Sequence, residues 1–153
     1  MVSKEHKGGI IPLLIRTGKG PFEVLVMFGG VLSGAIGLLY PDRASAAILE
    51  LLGSNAWIWH LTFTLACLVS LYGIYTYRYP EGLYIERAGM VWVATLLFAY
   101  GIGVFFVEAL GPVRNTSALI VIFVGIAALV RAFQITNDLR KLTNAIQEKK
   151  DGS

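Results

Sequence analysis

The sequence predicts an all-α, polytopic membrane protein: four transmembrane helices in an up-down-up-down bundle, with a cytoplasmic extension of the last helix. Three observations predict it. Four long apolar stretches, residues 22–40, 56–77, 88–110 and 118–135, hold more than half of the 153 residues. Only three formal charges fall inside them: Glu23, Glu108 and Arg131. The whole chain is 56% hydrophobic and only 15% charged, well below the roughly 25% charged of a soluble domain. A helix rises about 1.5 Å per residue, so each stretch reaches roughly 27–35 Å, which matches a bilayer core. Helices are required there because lipid offers backbone groups no water.

Residues 1–21 form a basic N-terminal segment. Within it, Ile10 to Ile15 is apolar but too short to span, and it reads as an interfacial anchor between Lys7 and Arg16. Pro21 stands at the entrance of the first span, where its missing N–H costs nothing. Tyr40-Pro41 ends that span. The span is expected to stay uncleaved: its apolar run exceeds a signal core, and Asp42 and Arg43 separate it from the small residues Ala44-Ser45-Ala46. In the loop that follows, Asp42 can cap a short helix from Arg43 to Leu52, which Gly53 can close. Its residues Ile48, Leu49 and Leu52 share a face, so it is expected to lie on the outer surface. The loop from Arg78 to Arg87, with Pro80 and Gly82, reads as a tight inner turn. The loop from Gly111 to Ser117 is shorter still, so neighbouring helices should run antiparallel. Its sequon, Asn115-Thr116-Ser117, sits too near the membrane to be modified. Residues 22–135 thus make one four-helix transmembrane domain. Residues 136–153 make a cytoplasmic amphipathic helix and tail, with Ile135, Leu139, Leu142 and Ile146 in a seam. That seam suits either a bed of lipid headgroups or a self-association helix.

Eleven Lys and Arg residues fall on the side of the two termini and the second loop, and two, Arg43 and Arg114, on the other. By the positive-inside rule both termini face the cytoplasm, and the protein is integral to the plasma membrane. The net charge of +3 then reflects topology and contact with anionic lipid at the cytoplasmic face rather than nucleic acid.

The most specific local pattern is a pair of small-residue ridges in the first span: Gly29, Ser33 and Gly37, and Gly30 with Gly34. Four-residue spacing of small side chains lets helix backbones approach in lipid. The ridges serve either packing within one bundle or an interface between protomers. Intramembrane ionisable groups are functional candidates. Glu23 and Arg131 lie at similar depth near the inner side and can pair; His60 and Glu108 lie near the outer side and can hydrogen-bond. Trp57, Trp59 and the tyrosines near the other end of the second span read as an interfacial belt. Cys67 has no partner cysteine and reads as small filler. No catalytic constellation, phosphate loop, cofactor motif or metal-ligand spacing is present in the sequence, which argues against an enzyme.

The small size, the glycine-rich run Gly29-Gly30-Val31-Leu32-Ser33-Gly34 and the charged end from Asp138-Leu139-Arg140-Lys141 to Glu148-Lys149-Lys150 carry a resemblance. In architecture the chain resembles the small multi-span membrane proteins of bacteriophages, including holin-like proteins. The resemblance implies accumulation in the cytoplasmic membrane, oligomerisation and the opening of a lesion. The expected function is therefore a non-enzymatic, self-associating membrane protein with holin-like permeabilisation. The alternatives are a scaffold or accessory subunit that recruits a partner through its cytoplasmic helix, and a small oligomeric channel or transporter.

Overall fold

A computed structural model describes residues 21–40, 46–76, 80–109 and 117–151. Among these, every residue except Tyr40 and Thr76 is helical, and no strand occurs. The elements are α1 (Pro21–Leu39), α2 (Ala46–Leu52), a 3-10 turn (Gly53–Asn55), α3 (Ala56–Tyr75), α4 (Pro80–Ala109) and α5 (Ser117–Asp151). The Ile10 to Ile15 anchor, the Asp42 cap and the Asn115-Thr116 part of the sequon lie outside the described residues.

Three helical runs are long and apolar enough to cross a membrane: Ile48–Tyr75, Glu81–Phe106 and Ala118–Glu148. The apolar run of α1, Glu23–Leu39, is shorter. α2 does not stand apart as a separate surface helix. It leads through the 3-10 turn into α3, turning at Gly53, whose φ of 53° is the left-handed conformation glycine adopts without strain. Ile48 is buried, and Leu51 reaches Gly103 of α4.

The expected inner turn over residues 78–87 is largely helix. α4 begins at Pro80 and runs for 30 residues. Proline is suited to the first helical position, and Glu81 in the first turn complements the positive end of the helix dipole. The apolar positions Leu83, Met90 and Val93 then fall on one buried face, which begins well before the predicted span at Ala88. α5 follows the expectation of one continuous helix, 35 residues long.

Packing runs α1 on α3, α3 on α4 and α4 on α5. Small side chains set the first two contacts. Gly30 lies against Cys67, Gly34 against Thr64 and Gly37 against the His60 ring, so α1 and α3 run in opposite directions. On the other side of α3, Gly73 meets the backbone of Glu86, and Gly89 meets that of Ser70. Both contacts leave no room for a Cβ. The core between the helices is correspondingly fine-grained, with Ala66, Cys67, Ala94, Ala128 and Ala132 filled out by Met27, Met90 and Val93.

A leucine at position 34 would put its Cβ 3.1 Å from the His60 carbonyl oxygen and against Thr64. Gly34→Leu is therefore expected to destabilise the protein by about 1–3 kcal/mol through overpacking. A Cβ at Gly29 meets nothing, so Gly29→Ala should change stability by no more than about 0.5 kcal/mol. Denaturation in detergent micelles measures both.

Candidate functional site

The strongest chemical feature is a charge cluster at the end of the bundle where α3 gives way to α4. Arg131 of α5 is 8% exposed and Glu86 of α4 is 2% exposed. The Arg131 guanidinium donates from Nε at 3.0 Å and from its terminal nitrogen at 2.8 Å, both to Oε1 of Glu86. Glu23, in the first turn of α1, places Oε2 3.3 Å from the same Nε. One guanidinium thus ties three helices. The two carboxylates differ in access: the Glu23 side chain is 28% exposed.

The structure brings Glu23 and Arg131 together, as their depth in the sequence implied. Glu86 was missed because it was counted as part of a loop. The signal was present: residue 86 lies three positions after Leu83 and four before Met90, on the buried stripe of a helix begun by Pro80. A carboxylate on such a stripe requires a cationic partner, and Arg131 is the only lysine or arginine in any of the four apolar stretches.

A second feature is the seam between α1 and α5. These helices share no packed interface comparable to the other three. Two open spaces line the seam. Near the α2 end, a cavity of about 650 Å³ is bounded by Gly29 and Ser33 of α1, Trp59 and Phe63 of α3, Tyr100 of α4 and Val121 of α5. Toward the charge cluster, a groove of about 410 Å³ runs between α1 and α5 over Met90 of α4.

The predicted ridge residues divide accordingly. Gly30 and Gly34 pack on α3, Gly29 and Ser33 turn toward the seam cavity, and Gly37 does both, resting on His60 at the cavity's edge. Trp59 also faces this cavity; its ring lies 5.8 Å from that of Tyr100, tilted by 38°. Trp57 is exposed, as a belt residue would be. His60 rests against Gly37, and its Nε2 is buried with no hydrogen-bond partner among the described residues. The side chain of Glu108, the expected partner of His60, lies outside the described residues. In the predicted seam of the last helix, Ile135 and Leu139 are buried against Leu83 of α4, Leu142 is half-buried and Ile146 is 61% exposed. Half of that seam is spent within the chain. Among the described residues, no group of three or more His, Cys, Asp or Glu side chains is placed to hold a metal ion.

In comparisons with protein-family models, curated proteins and solved structures, nothing matches this chain.

Removing one partner from a buried ion pair leaves the other charge uncompensated. Glu86→Ala is expected to cost about 3–5 kcal/mol. Glu23→Gln, at a longer and wetter contact, should cost about 1 kcal/mol or less. The double variant Glu86→Gln/Arg131→Met should recover part of the Glu86→Ala loss, because it removes both buried charges and leaves only the partly exposed Glu23, which water can reach. Thermal unfolding of the purified variants in one detergent ranks the three.

Proposed function

We propose that the chain is a non-enzymatic integral membrane protein that crosses the bilayer four times, up-down-up-down, with both termini in the cytoplasm, and that it acts by associating with copies of itself. The observation that supports this is its surface. Large apolar side chains stand exposed along every long helix: Leu25, Phe28 and Ile36 on α1, Leu65 and Leu68 on α3. Phe105 and Phe106 on α4, with Ile120 and Phe123 on α5, continue the pattern. Patches of this extent suit lipid or another apolar helix, not water. Among the described residues α1 is packed along one side only, by α3, which makes it the helix with room for a neighbour from a second copy.

Holin-like permeabilisation is the concrete role this reading favours. The buried charges supply a means. While the cluster is closed, Glu23 and Glu86 both face Arg131. Parting α1 from α5 on assembly would present Glu23 and Arg131 to a water-filled defect. Regulated expression in a bacterial host is expected to collapse the membrane potential, and tags at the two ends should both be reached only from the cytoplasm. Undisturbed potential and growth at high expression would remove the permeabilising role; tags on opposite faces would remove the topology.

A second reading, a scaffold, is favoured by α5 beyond Leu139. This segment carries Ile146 exposed beside Arg140, Lys141 and Glu148, with Leu142 half-buried. Truncation after Thr143 separates the readings. A scaffold loses partner capture and keeps its place in the membrane, whereas permeabilisation survives the cut.

A further inference from the structure

The groove between α1 and α5 has a length, a polarity gradient and a charge that together describe one kind of occupant. It runs along α5 from Ile120 to Arg131. At about 1.5 Å per residue the α5 wall is roughly 16 Å long, flanked by α1 from Glu23 to Met27 and by α4 at Met90. Away from its charged end the lining is apolar: Val26 and Met27 of α1, Met90 of α4, and Phe123, Val124 and Ala127 of α5. Its charged groups, Glu23 and Arg131, lie together at one end. An occupant must therefore be apolar for most of its length and polar at one tip.

The charge at that tip narrows the choice. Arg131 is turned into the protein and already receives both carboxylates. Glu23 is the accessible member: it engages Arg131 through Oε2 only, and at 3.3 Å. Its second oxygen, Oε1, has no protein partner among the described residues and is free to accept hydrogen bonds. A primary ammonium provides three N–H donors and a positive charge for such a carboxylate. A quaternary ammonium has no N–H to give, and an anionic headgroup would meet Glu23 with like charge.

We propose that the α1–α5 groove binds one phospholipid from the leaflet on the charge-cluster side, selected for a primary ammonium headgroup of the phosphatidylethanolamine type. One acyl chain lies along the groove over Met90, and the ammonium pairs with Glu23. The inference rests on the membrane-spanning reading, and the two fail in different ways. If the spanning reading is wrong, the protein is released from membranes by alkaline carbonate. If only the lipid site is wrong, the protein stays in the membrane and shows no headgroup preference.

The test uses the full-length protein in nanodiscs holding equal parts phosphatidylethanolamine, phosphatidylcholine and phosphatidylglycerol. Retained lipid is counted by native mass spectrometry after the disc is stripped. Phosphatidylethanolamine is expected in at least about fivefold excess over either competitor, one molecule per chain. Glu23→Gln should abolish that preference. Ala127→Phe, at an exposed groove position, should abolish retention of the bound lipid while leaving helicity and monodispersity as in the parent. Equal retention of the three headgroups overturns the proposal. So does an unchanged lipid count in the folded Ala127→Phe variant, or a phosphatidylethanolamine preference that persists in Glu23→Gln.

Discussion

A guanidinium held inside an apolar bundle constrains everything around it. Arg131 cannot be left there unpaired, because the cost of stripping its hydration far exceeds what nearby dispersion contacts return. Glu86 meets that demand from α4, and in doing so it fixes the rotation of α5 about its own axis and the register of the two longest helices. The position of Glu86 in turn requires α4 to start at Pro80 and not at the first uninterrupted apolar residue. Glu23 adds a third helix to the same centre. α1 is therefore held twice, by close contact along α3 and by a single long ion pair to α5, with open space between those attachments.

The rest of the bundle is held by a different physics. Elsewhere the helices are joined by dispersion at short range across small side chains. α3 is the helix approached most closely, with the glycines of α1 on one flank and Gly73 and Gly89 at the α4 contact on the other. Among the described residues, its buried hydroxyl groups bond within the helix. Thr64 donates to the His60 carbonyl at 2.7 Å and Ser70 to the Ala66 carbonyl at 2.9 Å, each within α3 itself. Such internal bonds let a polar side chain sit in a tight apolar contact without needing anything from the facing helix.

The helical class and the length of α5 were legible because each depends on local spacing. The opening between α1 and α5 was not. Gly29 and Gly30 are adjacent in sequence and alike in chemistry, yet one lines a cavity and the other meets a cysteine; only the direction of the neighbouring helix separates them. Trp59 likewise carries the composition of a belt residue, and its inward placement depends on Tyr100, 41 positions later. Glu86 lay hidden for another reason. The charges and the Pro-Glu-Gly run around it have the composition of a turn, and a hydropathy window weighs composition above periodicity.

Cys67 has a practical consequence. The chain has a single cysteine, and its sulfur is sealed between α3 and Gly30 of α1. Thiol-directed spin labels and fluorophores added to the intact protein will therefore ignore it. Reporter cysteines placed on the exposed faces of α1 and α5 can be labelled against a silent native background, and the separation of those two helices followed directly in a bilayer.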